Sequence, residues 1–446
     1  MDDKHGLLTA PIGQVLRQKT IPMVIGMVAI LMFNLVDTFF ISLLGTHALA
    51  AISFTFPVTF AVNCITMGIG VGISTCIGRL LGQKKGPEAA RMTTHGLILA
   101  LLLVIIASSI GLATIDPLFR LLGASDELLP LINQYMVVWY LTIPLLVIPM
   151  TSNSAIRATG DTATPAKIMM LSGLINGILD PLLIFGYGPF PELGIQGAAI
   201  ASGVSWLGAL MASIYVVRIR EKLIALPDLK KMISDWKPIL HIGTPAALSN
   251  AMSPLSGAIL MMMLASHGTA AVAAYGAAQR VESILLLVLM SLTSVLSPFM
   301  AQNFGAKNPQ RSFDALFLCM RFSVGFQLLV FLVMVPLSIP LAALFSQEQE
   351  VQSLLWHYLL FVPFSYGLLG ILMMLTSALN AMHKPLQAFV WSFMRLFVFM
   401  LPCAWIGSQW NGIEGLFVGI AVGNIVGGLS GVVYARRVFQ GRKLES

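Results

Sequence analysis

The sequence predicts an all-α integral membrane protein, with twelve transmembrane helices in two six-helix bundles related by a parallel internal repeat. Three observations lead there. The chain is 57% hydrophobic and only 10% charged, where a soluble domain carries about 25% charged residues. Its apolar residues gather into twelve stretches, and a bilayer core needs about 20 such residues per helix. The two halves of the chain also echo each other at a near-constant offset.

In order, the stretches are 20–44, 50–81, 92–115, 129–157, 166–187, 195–217, 238–266, 273–304, 312–336, 351–381, 386–408 and 413–436. Several exceed the minimum and contain Gly or Pro, which predicts tilt or bending. Asp2, Asp3 and Lys4 open the chain and no small-residue cleavage site follows the first stretch. That stretch therefore reads as a retained span and not as a removed signal. The segment from Arg218 to Lys237 holds six Lys or Arg and Pro227. The expected organisation is a lobe over 1–217, a cytoplasmic linker over 218–237 and a second lobe over 238–446.

Charge sets the predicted orientation. With the amino terminus in the cytoplasm, cytoplasmic segments hold 23 of the 26 Lys and Arg residues, from Lys4 through Arg442 and Lys443. The opposite side keeps only Arg120, and Arg280 and Arg395 lie within apolar stretches. Such asymmetry near span ends places both termini in the cytoplasm. The basic residues fall between apolar stretches and not on one face, which excludes a nucleic-acid partner. Cys64, Cys76, Cys319 and Cys403 lie in apolar stretches without paired spacing and read as small buried hydrophobes. No metal-ligand spacing, nucleophile set or Walker sequence is present, so neither an enzyme, a resident cofactor nor an ATP-driven pump is expected.

The repeat is specific. Gly45-Thr46-His47-Ala48-Leu49-Ala50-Ala51 matches Gly268-Thr269-Ala270-Ala271-Val272-Ala273-Ala274 at an offset of 223. Gly82-Gln83-Lys84 matches Gly305-Ala306-Lys307, Pro22 maps to Pro245 and Ala155 to Ala378 at the same offset. Gly194-Ile195-Gln196-Gly197 matches Gly412-Ile413-Glu414-Gly415 at 218. An even number of spans per repeat gives both halves the same orientation, an arrangement of secondary transporters with a site near the midplane.

Against this apolar background, Asp37 sits in the middle of the first stretch and Asp180 in the middle of the fifth. An acid there is expensive and is usually kept for function. The alternative is an acid paired or neutralised to hold helices together, but neither stretch carries a basic residue deep enough to serve. Asp37 maps to Leu260 and Asn34 to Gly257, so the scaffold is duplicated and the acids are not. The first half is therefore the expected ion-handling half. Asn34 with Asp37, and Asn176 with Asp180, are three and four apart, on shared helix faces. Asn153, Tyr135 and Ser202 add polar groups in the same half. Two nearby carboxylates can share one proton, and their oxygens are equally able to hold sodium. Pro22 permits a bend in the first span, or is a proline near a helix start, where it costs little. Glu282 in the eighth span is a possible secondary ionic site, or an interfacial acid; Arg280, two residues away, does not share its face. Arg395 in the eleventh span requires a cavity or a carboxylate.

These motifs resemble the multidrug and toxic compound extrusion (MATE) transporters, and within them the DinF-like branch, over about residues 14–439. Asn34-Leu-Val-Asp37, Gly78-Arg-Leu-Leu-Gly82, Asn176-Gly-Ile-Leu-Asp180-Pro181 and Gly194-Ile-Gln-Gly197 carry the resemblance in the first half. Ala277-Ala-Gln-Arg280-Val-Glu282 and Gln302-Asn303-Phe-Gly305 carry it in the second. The resemblance implies an antiporter of the bacterial inner membrane. It would export amphipathic, mostly cationic drugs and toxins in exchange for H⁺ or Na⁺, by alternating access between two lobes. It assigns ion coupling to Asp37, Asp180 and Asn176, support to Asn153, Tyr135 and Ser202, and first-span bending to Pro22; Asn34 joins the supporting polar network on its spacing from Asp37. It also implies a monomer surrounded by membrane lipid. The seventh-span acid of the NorM-like branch has no equivalent between His241 and Leu264, which favours the proton. A lipid-linked substrate flippase of the same superfamily is the rival, and would want more central basic residues than Arg395.

Overall fold

The computed structural model describes residues 5–440, so Lys4, Arg442 and Lys443 of the charge pattern lie outside the described residues. Among those residues the chain is helical, with no β-strand. The first half contains α1 (Ile12–Ser42), α2 (Thr46–Gly82), α3 (Gly86–Ala113), the short α4 (Ile115–Leu121), α5 (Leu129–Ala158), α6 (Ala163–Phe185) and α7 (Ile195–Tyr215). A π-helical turn, Val216–Arg220, follows. After α8 (Leu229–Ala265) come α9 (Thr269–Leu285), α10 (Leu287–Gly305) and α11 (Pro309–Phe345). The chain then forms α12 (Gln349–Phe361), α13 (Tyr366–Ala381), α14 (Pro385–Phe393) and α15 (Leu401–Gln440). A seven-residue π segment, Met394–Met400, joins the last two.

Eleven helical stretches in the described residues are long and apolar enough to span a membrane, and the last of them, Pro385–Phe439, holds two spans. The helix breaks within it at Asn411 and Gly412. This gives the twelve spans read from the sequence, with α9 and α10 together forming the eighth. Large apolar side chains on α1, Met32, Leu35 and Phe39 among them, are exposed.

The repeat is visible in the backbone itself. Gly45 and Gly268, 223 apart, have φ of 106° and 113°. Gly194 has φ 56° and ψ −133°, and Gly412, 218 further on, has φ 57° and ψ −134°. Lys84 and Lys307 both adopt positive φ, at 60° and 58°, a conformation uncommon outside glycine. Equivalent turns are thus built with the same dihedral angles, even where the residue is not suited to them.

The chain divides into two compact units. One comprises the described part of Met1–Ala10 with Arg17–Ala247, and the other Pro11–Leu16 with Leu248–Ser446. The first unit has a core formed by Ile73, Ile77, Phe119, Met136, Trp139 and Tyr140. In the second, Phe299, Tyr358, Tyr366 and Phe417 are almost wholly buried.

The expected linker over 218–237 and lobe start at 238 need correction. Helix α8 begins at Leu229, and the first unit runs on to Ala247. The reason is a set of hydrogen bonds that sequence spacing does not reveal. Asp228 caps α8 by accepting from the Lys230 N–H at 3.1 Å. Its own N–H donates to His95 Nε2 of α3 at 3.0 Å. That leaves His95 Nδ1 to donate to Asp235 Oδ2 at 2.7 Å, with Arg91 Nε donating to the same oxygen at 2.9 Å. Trp236 Nε1 donates to the His95 carbonyl at 2.8 Å, and Ala225 and Thr94 exchange two 3.0 Å bonds. The basic segment is clasped to α3 and does not behave as a free tether.

Candidate functional site

The site in the first unit is built along a seam between α1 and α6. Thr162 Oγ1, at the amino end of α6, donates to the Lys19 carbonyl at 2.7 Å. One heptad along α1, a side chain on Gly26 would meet Ala166, its Cβ 2.7 Å from the Ala166 Cβ. A heptad further, the Phe33 ring lies on Gly173. Residue numbers rise together on both helices, so α1 and α6 run in the same direction. Small residues let the backbones close, as membrane helices do where dispersion and hydrogen bonds must hold them. One turn past Phe33 stands Asp37, and two turns past Gly173 stands Asp180.

The two carboxyl groups lie within hydrogen-bonding reach of each other. Asp180 is fully buried. Asp37 Oδ1 and Asp180 Oδ2 are both buried, and among the described residues neither receives a hydrogen bond from another donor. Asn176 Nδ2 donates to Asp180 Oδ1 at 3.3 Å and also reaches Ser202 Oγ of α7 at 3.4 Å. Tyr135 of α5 is close enough for both carboxylates to act on its phenol. The structure thus gathers Asp37, Asp180, Asn176, Ser202 and Tyr135 into one cluster.

Two expected members stand apart. Asn34 is exposed, because it follows the seam residue Phe33 by one position, about 100° around the helix. Asn153 is buried, its Oδ1 has no donor among the described residues, and no hydrogen bond joins its side chain to either acid. Helix α1 continues without interruption through Pro22.

The chemistry of the pair follows from hydrogen-bond capacity. An ionised carboxylate only accepts, so two of them in contact form a hydrogen bond only when one carries a proton. A proton added or lost at this pair therefore changes what holds α1 against α6.

The second unit has an acid site of its own. Glu282 Oε2 accepts from the hydroxyls of Tyr358 and Tyr366, each at 2.8 Å. Tyr275 and Arg395 both lie within the field of Glu282. Sequence reasoning named Glu282 and Arg395 and missed the tyrosines. The repeat held the signal: Tyr358 stands 223 residues after Tyr135, so one scaffold position supplies a tyrosine to the acid site of each half.

Comparison with known families is decisive for class. The MatE family model matches residues 22–182 and again 245–406. The two matches start 223 residues apart, the offset of the repeat. This chain belongs to the MatE family. The MatE chain is 48% identical over 440 residues to the FAD transporter of Shewanella oneidensis, covering 98% of this chain and 97% of that one. It is 29% identical over 420 residues to the multidrug export protein MepA of Staphylococcus aureus, covering 91% and 90% of the two chains. The crystal structure of the Vibrio cholerae MATE transporter VcmN in the bent form superposes with a TM-score of 0.91 at 33% identity, covering 97% of this chain and 98% of that one. This MatE protein is a multi-pass membrane transporter of small molecules and not an enzyme.

Proposed function

We propose that this transporter exports planar aromatic organic solutes from the cytoplasm in exchange for protons, with FAD the first cargo to test. The observation that carries the coupling is the contact of Asp37 with Asp180, which is a hydrogen bond only with a proton between them. The cargo reading rests on the 48% identity to a FAD transporter over nearly the whole of both chains.

In the mechanism, a proton from outside enters the pair and joins α1 to α6 as cargo is released. Loss of that proton to the cytoplasm leaves two carboxylates in contact, and their repulsion loosens α1. Pro22, which lacks the N–H that would tie it to the preceding turn, is where α1 bends. Asn176 and Ser202 keep Asp180 placed while Asp37 moves with its helix. The proton can shift this equilibrium only by its unequal affinity for the two states. The protein sits in the bacterial inner membrane with both termini in the cytoplasm, in keeping with the distribution of Lys and Arg.

A second reading is supported by the 29% identity to a multidrug export protein: the cargo includes amphipathic cations. Everted membrane vesicles separate the two. Under an acid-inside pH gradient, vesicles bearing the protein accumulate FAD and control vesicles do not. Uptake of ethidium without FAD shifts the assignment to cationic drugs. Uptake driven by a sodium gradient, with the pH gradient collapsed, sinks proton coupling.

A further inference from the structure

We infer that Arg395 is the anion-binding residue of the cargo site and takes an organophosphate, through the phosphate or pyrophosphate of a soluble cargo or through a phospholipid headgroup. The flavin form of this inference rests on the cargo reading above. The organophosphate site itself does not.

Four observations converge on Arg395. It lies in the eleventh span, where a guanidinium is costly unless something compensates it. Its backbone belongs to the seven-residue π segment Met394–Met400, a rare geometry that tends to mark functional positions in helices. Among the described residues no hydrogen bond or ion pair is made by its guanidinium, and the side chain is only partly accessible. Yet the Glu282 carboxylate is close enough to act on its charge.

The tyrosines explain why that proximity does not end in an ion pair. Tyr358 and Tyr366, each 1% exposed, donate to the same oxygen of Glu282. Tyr275 packs edge-on against Tyr358, with ring centroids 6.1 Å apart, and Phe417 also packs edge-on against Tyr358 at 5.1 Å. Glu282 is therefore fixed by a rigid aromatic frame, at a distance from Arg395 that supplies countercharge without consuming donors. Five N–H donors in a planar fork remain available. That fork matches a phosphate group in a bidentate manner, which a point charge does not. Here Glu282 acts as a positioning residue, held in place by the two phenols that donate to it.

Full-length protein purified in detergent provides the test, with riboflavin, FMN and FAD as fluorescent probes. Wild type is expected to bind FMN and FAD about tenfold or more tighter than riboflavin, the scale of one charge-assisted hydrogen bond. Arg395→Gln should erase that preference and leave riboflavin affinity in place. Arg395→Lys should restore part of it. A wild type that does not prefer the phosphorylated flavins, or a variant that weakens all three equally, overturns the assignment. If wild type binds no flavin, the cargo reading fails, and thermal shifts with pyrophosphate and with phosphatidylglycerol micelles decide the site. An Arg395-dependent shift with either probe upholds it and names the source. No shift with both overturns it.

Discussion

Replacing Asp37 with Asn tests proton coupling without removing the seam. Asn is close to isosteric with Asp, and its amide can donate to Asp180 Oδ2, which has no other donor among the described residues. The variant thus carries a permanent substitute for the shared proton. The contact between α1 and α6 persists, but it no longer responds to pH. The magnitude follows from stoichiometry. With the membrane potential clamped at zero, one proton exchanged per cargo supports about tenfold accumulation per pH unit, or about 1.4 kcal/mol, and two protons support about hundredfold. Wild-type everted vesicles clamped with valinomycin and potassium should show a slope of one or two decades per pH unit. Asp37→Asn vesicles with matched protein should show a slope of zero, while downhill exchange of labelled cargo continues. A wild-type slope in the variant would refute the assignment of the proton to this pair.

Three further outcomes are expected. Gly26→Val should separate the acids without touching either, because even a Cβ at Gly26 falls 3.0 Å from the Ala166 Cα; the pH slope should drop while the protein still elutes as a folded species in gel filtration. Asp235→Ala removes the acceptor of buried His95 and of partly buried Arg91, and should cost about 3 kcal/mol or more, read as an earlier melting transition in detergent. Asp161 lies in the loop between α5 and α6. Burial acts to raise its pKa, but the Thr164 hydroxyl and N–H, the charge of Arg220 and that of His5 outweigh burial and hold it below the usual carboxylate value. Its contribution to stability is complete above an unfolded pKa of about 4 and is lost as pH falls through the lower folded value. Asp161→Asn should therefore flatten the acid side of a melting-temperature profile.

Two residue sets show how far the chain alone can be read. Asp37 and Asp180 were legible because a carboxylate in an apolar helix is costly, and that cost is visible without coordinates. Asn34 was misplaced for a reason of angle. Spacing put it on the face of Asp37, but the seam passes through Lys19, Gly26 and Phe33, and only packing shows that Asn34 is one step off it. The clasp of Asp235 on His95 and Arg91 joins residues about 140 apart. No periodicity signals such a contact, so a segment rich in Lys and Arg read as a linker.

What the sequence determined by itself was class, span count and duplication, because bilayer thickness, desolvation and repeated turn geometry act locally along the chain. The tertiary structure alone decided that the two acids meet across helices, that Asn176 and Ser202 join them, and that Glu282 is framed by tyrosines while the guanidinium of Arg395 keeps its donors. Those facts depend on which faces of distant helices pack together, and a one-dimensional pattern does not carry that information.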